Sequence, residues 1–242
     1  MRVSLPSPLV CIPKSIALIK IHPAWTLVLA ALAVCLSIGA VLLGRHLGLP
    51  DQPAPDDLAG LFQRVLLNLA VLLPLELYFY PRWILAMDAY APGESRNSIE
   101  TWKQLFEERW GRVFLARTLL AAASSIGFVL CIVPGVLVLL FFGWTPWRVL
   151  LHGESIRVAA GTAARNMAAL WPQALMAAST IFLIVVLSNE IIARACAGLS
   201  PKLVWHISNT FGQMTLVWMN AALLGLYQWM ESTLANIKKG AS

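Results

Sequence analysis

Long apolar runs separated by short polar stretches dominate the pattern of this chain. A helix needs about 20 residues to cross the roughly 30 Å hydrocarbon core of a bilayer, and six runs approach or exceed that length. They are Ala24–Gly44, Leu58–Tyr80, Val113–Val133, Val136–Leu151, Trp171–Ala193 and Gly212–Leu234. The pattern therefore predicts an all-α fold, a polytopic transmembrane helical bundle of about six spans forming a single integral membrane domain over residues 1–242.

Only Pro134-Gly135 separates the third run from the fourth. Proline is well tolerated in the first turn of a helix, because its missing N–H would have no intrahelical acceptor there. The two runs are therefore predicted to form a tight hairpin. The fourth run, Val136–Leu151, is the shortest of the six, and its full span is the least secure. Pro146 is predicted to kink it near its far end.

The composition agrees with a membrane protein. Apolar residues make up 59% of the 242 positions and charged residues 12%, whereas soluble domains contain roughly 25% charged residues. The net charge of +6 does not indicate nucleic-acid binding, because the basic residues fall between apolar runs and form no solvated basic face. The four cysteines and four histidines are scattered along the chain, so no cofactor, metal site or disulfide framework is expected.

Lysines and arginines are distributed unequally between the two sides of the predicted bundle. With a cytoplasmic N-terminus, fourteen of the 18 basic residues fall on the cytoplasmic side and four on the outer side. Cytoplasmic loops of membrane proteins are enriched in these residues. The chain is therefore predicted to be a multi-pass protein of a bacterial inner (cell) membrane with both termini in the cytoplasm.

Two cytoplasmic segments have helical periodicity of their own. Ile99, Trp102, Phe106 and Trp110 recur at spacings of three and four residues, and Glu154–Ala169 has alanines on one side and polar residues elsewhere. The pattern predicts two cytoplasmic interfacial helices. The alternative is that both segments extend the neighbouring transmembrane helices and pack on one another.

The order of these segments resembles the YciC-like family of uncharacterised bacterial inner-membrane proteins. The resemblance begins at Trp102 and rests on the turn Cys131-Ile132-Val133-Pro134-Gly135 between two spans, the polar helix that follows, and the closing stretch from Leu199 to Tyr227. A similar arrangement occurs in the membrane domain of some glycerophosphodiester phosphodiesterases. His152-Gly153-Glu154 and Arg165-Asn166 depart from the family pattern. Because the family has no established activity, the resemblance implies architecture and location.

One motif suggests catalysis but lacks its partners. Glu107-Glu108 followed by Arg112 resembles the Glu-Glu-x-x-x-Arg motif of intramembrane CAAX-type proteases, whose carboxylates activate water. Those enzymes also need Phe-x-x-x-His and His-x-x-x-Asn/Asp patterns. Here Arg148 precedes His152 at that spacing, and Thr210 follows His206. We therefore read the run as a charged helix face and expect no enzyme, with an intramembrane protease as the least favoured alternative.

Polar residues inside the apolar runs favour a second functional class, a transporter, because intramembrane charges are costly unless they serve a function. Against it, only one helix break and no internal repeat are evident. The intramembrane polar candidates are Arg64, Asn68, Glu76, Arg117, Glu190 and Asn220.

Two pairings are predicted among the intramembrane polar residues. Glu76 and Arg117 lie at matching depths and should form a salt bridge or a shared polar cluster, with Arg148 as the substitute partner of Glu76. In the outer half, Arg64 is predicted to point inward toward Asn189 and Glu190 or toward Asn220. The alternative is that Arg64 extends outward to the membrane surface.

The leading functional hypothesis is a structural or accessory factor in envelope or lipid homeostasis, or a subunit of a membrane complex. A small-solute or lipid transporter is the alternative. The expected partners are membrane lipids, including anionic phospholipids on the cytoplasmic side, and a membrane protein. Basic side chains near an anionic leaflet contribute about 1 kcal/mol each. Arg109, Arg112 and Arg165 are the lipid-headgroup candidates, although the basic residues could serve only to set the topology.

Overall fold

The computed structural model describes residues 7–21, 23–49, 59–60, 63, 67, 70–71, 73–89, 99–130 and 132–240. Within these residues the regular secondary structure is helical and contains no strand. The prediction of an all-α fold is therefore confirmed for this part of the chain. Helices suit these apolar segments because each helix satisfies its own backbone hydrogen bonds without water.

Eight α-helices can be followed through the described residues. They are α1 (Cys11–Ile21), α2 (Pro23–His46), α3 (Tyr80–Ala89), α4 (Ile99–Leu130), α5 (Ile132–Phe142), α6 (Thr145–His152), α7 (Ile156–Ala195) and α8 (Pro201–Gly240). A 3-10 turn, Pro8–Val10, precedes α1, and a π-helical turn, Leu75–Phe79, leads into α3. In that turn the Tyr80 N–H donates to the carbonyl of Leu75. The wider turn lies just before Pro81, which cannot donate a helical hydrogen bond.

Three helical stretches of the described chain are long and apolar enough to cross a membrane: Pro23–His46, Val133–His152 and Ile156–Ala195. The predicted count of six spans is therefore not confirmed. The third and sixth apolar runs are helical, within α4 and α8, but are not among these three. The second run, Leu58–Tyr80, lies largely outside the described residues.

The predicted hairpin between the third and fourth runs is present, but its turn lies earlier than expected. Helix α4 ends at Leu130 and α5 begins at Ile132, so Pro134 lies in the first turn of α5. The two helices approach closely near this turn. A Cβ built on Gly127 would lie 2.7 Å from the backbone nitrogen of Gly135. Glycine at position 127 therefore permits contact between the two backbones.

The predicted kink at Pro146 is instead a complete helix break two residues earlier, at Gly143-Trp144. A Cβ on Gly143 would lie 2.4 Å from the carbonyl oxygen of Leu139, so only glycine fits there. Pro146 then becomes the second residue of a new helix, where its missing N–H costs nothing. The fourth run is therefore two helices, α5 and α6, and residues 145–151 of α6 are all buried.

The two predicted interfacial helices are the first parts of longer helices. The segment from Ile99 to Trp110 begins α4, and most of Glu154–Ala169 begins α7. No break separates either segment from the apolar residues that follow, because Gly111 and Pro172 are both accommodated within continuous helix. The prediction of separate interfacial helices is corrected accordingly, and the alternative of helix extensions describes both.

The chain packs as two compact units. One contains Met1–His22, Pro81–Ile184 and Trp218–Ser242, and the other contains Pro23–Tyr80 and Val185–Val217. Helices α7 and α8 contribute to both units, so the prediction of a single membrane domain stays a prediction. Helix α6 and the final turns of α8 supply much of the core of the first unit, and the candidate site lies there.

Candidate functional site

Arg148 is the centre of a charged network in the first unit. Although it belongs to the apolar stretch Val133–His152, only 6% of the residue is exposed. Its Nε donates to Glu154 Oε2 at 3.0 Å, its Nη2 donates to Glu154 Oε1, and its Nη1 donates to Glu231 Oε1. Asn166 Nδ2 donates to the same Glu231 oxygen at 3.0 Å. The guanidinium therefore ties α6 to the following turn and to α8.

The network satisfies the electrostatic demands of a buried arginine. The planar guanidinium makes paired bonds to one carboxylate and a third bond to another, which is its strongest mode of recognition. A charge this deeply buried is tolerated only when it is paired. The side chains of Glu154 and Glu231 are 20% and 33% exposed. The network therefore runs from a buried cation to two carboxylates that reach the surface.

The turn between α6 and α7 is held by two arginines from α4. Gly153 ends α6 with φ of 68°, a left-handed conformation that glycine adopts without strain. Arg109 Nη1 donates to the carbonyl oxygens of Leu150 at 2.7 Å and Leu151 at 2.9 Å. Arg112 Nη1 donates to the Gly153 carbonyl at 3.0 Å. These cations donate to carbonyls that lack intrahelical N–H donors at the C-terminus of a helix, and they complement the helix dipole.

An aromatic cluster lies beside the charged network. His152 Nε2 and the Tyr227 hydroxyl are hydrogen bonded at 2.8 Å. The rings of Trp144 and Trp147 lie 5.8 Å and 6.1 Å from the Tyr227 ring, centroid to centroid. Tyr227 is 3% exposed, so its hydroxyl needs the imidazole as a partner. The cluster places polar atoms on one side of two large indole rings.

The same two indoles line an apolar groove. Its volume is about 810 Å³, within the range of pockets that bind small molecules. Ser179 is the only hydroxyl-bearing residue among those lining it. The lining residues are Val136, Leu139, Leu140, Gly143, Trp144, Trp147, Met167, Ala174, Ala178, Ser179, Phe182, Leu183 and Leu223.

The groove and the network together have the chemistry of an amphiphile site. Trp144 and Trp147 line the groove and also contact Tyr227. Arg148 follows Trp147 directly in α6. A long apolar surface therefore ends beside hydrogen-bonding and charged groups. A molecule with an apolar chain and a polar end matches this sequence of environments.

The structure brings together two of the three predicted headgroup arginines. Arg109 and Arg112 meet at the end of α6, with their guanidinium groups on backbone carbonyls. Arg165 is exposed on α7 and donates to Thr162 Oγ1 of its own helix at 3.3 Å. The headgroup role of these residues stays a prediction, and the structure adds a helix-capping role for Arg109 and Arg112.

Three of the predicted intramembrane polar candidates, Arg64, Asn68 and Glu76, have side chains outside the described residues. The predicted pairings of Glu76 with Arg117 and of Arg64 with the outer polar group therefore stay predictions. Arg148 has Glu154 and Glu231 as carboxylate partners.

The remaining candidates are placed by the structure. Arg117 lies partly buried on α4 and Asn220 partly buried on α8, and each interacts with a neighbouring group. Glu190 accepts a hydrogen bond from Arg194 Nε at 2.7 Å, one turn further along α7. Both side chains of that pair are more than half exposed.

The second unit contains a row of polar contacts between apolar helices. Ser37 Oγ on α2 donates to Asn209 Oδ1 on α8 at 2.9 Å. Asn189 Nδ2 on α7 donates to the Val185 carbonyl at 2.8 Å and to Thr215 Oγ1 at 3.4 Å. Asn209 Nδ2 is buried without a hydrogen-bond partner. Such contacts join helices in apolar surroundings.

A second cluster of polar side chains in the first unit includes residues of α1, near the start of the chain. Gln228 Nε2 donates to Asp88 Oδ1 at 2.8 Å, and Lys14 lies close enough to interact with Asp88. Burial lowers the pKa of the Lys14 ammonium from its ordinary value, and the Asp88 carboxylate opposes that shift. The Cys11 thiol nearby on α1 is buried, which raises its pKa.

The protease-like motif lies on an exposed helix face. Glu107 and Glu108 are exposed on α4, Arg112 is bonded to a backbone carbonyl, and His152 is bonded to Tyr227. Among the described residues no group of three or more histidines, cysteines and carboxylates could hold a metal ion.

Sequence reasoning missed most of the network. Glu154, Asn166, Tyr227 and Glu231 were not among the predicted site residues. A signal was available, because Arg148 is the only charged residue in Val136–Leu151 and Glu231 is the only one in Gly212–Leu234. Two lone opposite charges in different apolar runs are candidates for a pair.

The chain matches no family model, no curated protein and no solved structure.

Proposed function

We propose that the chain is a multi-pass bacterial inner-membrane protein that binds a membrane lipid and acts as an accessory factor in lipid or envelope homeostasis. Both termini are cytoplasmic in this proposal, and the protein is a relative of the YciC-like family. Three apolar helical stretches of membrane-spanning length, one of them interrupted at Gly143-Trp144, support the location. The unequal distribution of basic residues supports the orientation.

The observation that carries the lipid-binding role is the continuity between the apolar groove and the polar cluster. The groove is lined from Val136 to Trp147 on α5 and α6. It is also lined from Met167 to Leu183 on the continuous helix α7, a length of about 24 Å at 1.5 Å per residue. This length suits an acyl chain lying along α7. The polar end of the lipid then lies near His152 and Tyr227.

The groove can be tested by filling it. Ala178 lines the groove and is partly exposed, so Ala178→Phe should occupy it without overpacking the core. The matched control is Ala168→Phe, an exposed position on the same helix that does not line the groove. In native mass spectrometry of detergent-purified protein, Ala178→Phe should retain fewer lipid molecules than wild type and the control should not. Equal lipid retention by all three proteins would contradict lipid binding in this groove.

The predicted headgroup role of the arginines can be separated from their capping role. Arg109→Gln with Arg112→Gln should lower thermal stability, because the α6 carbonyls lose charged donors. If the arginines also bind headgroups, retention of phosphatidylglycerol should fall as well. Arg165→Gln, which removes no inter-helix contact seen here, should then reduce retention without lowering stability. Unchanged phosphatidylglycerol retention in both variants would leave only topological and capping roles.

A transporter is the second candidate, and the polar row of the second unit favours it. Within the described part of the chain, Asn209 Nδ2 and Ser208 Oγ are buried atoms without a hydrogen-bond partner. Unsatisfied polar groups among apolar helices are costly unless they serve a function. Vesicles containing the protein should swell faster than protein-free vesicles in a glycerol gradient. Asn209→Leu should abolish the difference. Identical swelling with and without the protein counts against passage of small neutral solutes.

A further inference from the structure

A second, smaller cavity is lined by residues before and after the α5–α6 break. Its volume is about 320 Å³. Helix α4 lines it with Ala116 and Ala123, α5 with Val138, α6 with Thr145, and α7 with Ile156. None of these residues lines the larger groove.

One buried hydroxyl interrupts this otherwise apolar lining. Thr145 is 5% exposed, and its Oγ1 has no hydrogen-bond partner among the residues that the structure describes. A buried polar group without a partner costs about 1–3 kcal/mol, so a bound ligand that accepts from this hydroxyl would be stabilised. Thr145 is also the first residue of α6. The N-terminal end of a helix carries partial positive charge, which favours an electron-rich oxygen at this position.

The polar group lies at one end of the cavity. Because α4 and α5 form a hairpin in which Gly127 meets Gly135, Ala123 lies level with α5 near Val138, toward the hairpin turn. Ala116 lies level with Thr145, at the other end. A chain that enters beside Thr145 therefore runs about 10 Å toward Val138, at 1.5 Å for each of seven residues, over apolar surface alone.

A cation lies just beyond the polar end. Arg112 precedes Ala116 by one helical turn on the same face of α4, and its side chain is exposed. A guanidinium has five N–H donors, and Arg112 Nη1 is bonded to the Gly153 carbonyl. Along α4 the order is therefore the exposed Arg112 cation, then Ala116 at the height of the Thr145 hydroxyl on α6, and then the apolar part of the cavity. This is the order of phosphate, ester carbonyl and acyl chain in a phospholipid.

We propose that this cavity binds the upper part of one acyl chain of an ester-linked anionic phospholipid. The Thr145 hydroxyl donates to the ester carbonyl, and Arg112 binds the phosphate. The proposal rests on the proposed membrane location, but it concerns a site separate from the larger groove. The ester carbonyl is the group that sets this lipid apart from an ether-linked lipid with the same headgroup.

The test compares diester and diether phosphatidylglycerol, which share a headgroup and differ at the carbonyl. In competition monitored by native mass spectrometry, wild type should prefer the diester lipid. Thr145→Val keeps the side-chain shape and removes the hydroxyl, so the preference should fall by about two- to tenfold, the worth of one hydrogen bond. Arg112→Gln should weaken retention of both lipids without changing the preference.

Filling variants separate this site from the larger groove. Ala123 lines the small cavity, whereas the neighbouring exposed Ala122 does not. Ala123→Phe should abolish the diester preference, and Ala122→Phe should keep it. Ala178→Phe, which fills the larger groove, should also keep it. No diester preference in wild type, or an unchanged preference in Thr145→Val, would overturn the inference. Loss of the preference in Ala178→Phe but not in Ala123→Phe would overturn it too, while leaving the proposed function standing.

Discussion

Replacement of Arg148 by methionine is the most direct perturbation of the charged network. The variant keeps a long apolar side chain in α6 but removes the donors that Glu154 and Glu231 accept. Both carboxylates then lose their cation, and Glu231 keeps the hydrogen bond from Asn166 Nδ2. The unfolding free energy should therefore fall, because the two negative charges repel each other without a cation between them.

The magnitude follows from burial. Removing one partner of a buried ion pair costs about 3–5 kcal/mol. Here the carboxylates are 20% and 33% exposed, so water partly replaces the lost guanidinium and the lower value, about 3 kcal/mol, applies. A chain of 150–250 residues shifts its Tm by about 2–4 °C per kcal/mol. Arg148→Met should therefore lower the Tm by about 6–12 °C.

The assay is thermal unfolding in one detergent at one scan rate, followed by tryptophan fluorescence. Trp144 and Trp147 lie beside the network and report on its loss. Glu231→Gln is the milder companion, because Arg148 keeps both bonds to Glu154. It should cost about 1–1.5 kcal/mol, about 2–6 °C.

A charge-free network provides the control. Arg148→Met combined with Glu154→Gln and Glu231→Gln leaves no unpaired charge, and uncharged replacements of buried ion clusters are often neutral or stabilising. The triple variant should therefore recover much of the stability that Arg148→Met loses. An Arg148→Met protein within about 2 °C of wild type would refute the reasoning. So would a triple variant that is no more stable than the single one.

Three further predictions concern the backbone and pH. Gly127→Ala should cost about 1–3 kcal/mol of stability through overpacking against the hairpin backbone. Its control is Gly111→Ala on the same helix, where a Cβ has nothing within 4 Å; it should stabilise the protein by about 0.5–1 kcal/mol. Similar Tm values for these two variants would count against the close approach. Gly153→Ala should cost about 1–2 kcal/mol because its φ of 68° is unfavourable for alanine, and Gly161→Ala, in open helix surface, serves as its control. Folding lowers the pKa of Lys14, so the unfolded chain binds this proton more tightly than the folded chain. The contribution of Lys14 to stability should therefore rise as pH increases from the folded pKa toward 10.5. Lys14→Met should flatten this part of a pH–Tm curve, and parallel curves for the two proteins would exclude the effect.

The sequence predicted helices better than it predicted their ends. The apolar runs gave the helical class because their length and composition are sufficient evidence for helix. The sequence predicted a kink at Pro146, whereas α5 ends at Phe142. Gly143 follows this end, and only glycine fits there because the Leu139 carbonyl oxygen occupies the space of a Cβ. That contact is a property of packing, and the local sequence does not reveal it.

The candidate site was predicted only in part for a related reason. Arg109 and Arg112 were found because basic residues beside apolar runs suggest an interface, but their carbonyl partners lie about 40 residues away in sequence. Glu231 is 83 residues from Arg148. Pairing across such distances depends on which helices are neighbours, and one sequence without relatives does not determine that. Charge complementarity between apolar runs was the one local signal that could have suggested it.

The break before α6 explains why these features occur together. A straight continuation of α5 would give one apolar helix with a single lone arginine. The break at Gly143 instead starts a short helix that is buried along its length. Residues 144 and 147 then face the larger groove, Thr145 faces the smaller cavity, and Arg148 meets the carboxylates. The C-terminal carbonyls of α6 accept from Arg109, so both ends of the helix have a polar role. Since one short helix positions all of these groups, unfolding of α6 as a whole should disturb both proposed lipid sites together, whereas single side-chain changes should affect them separately.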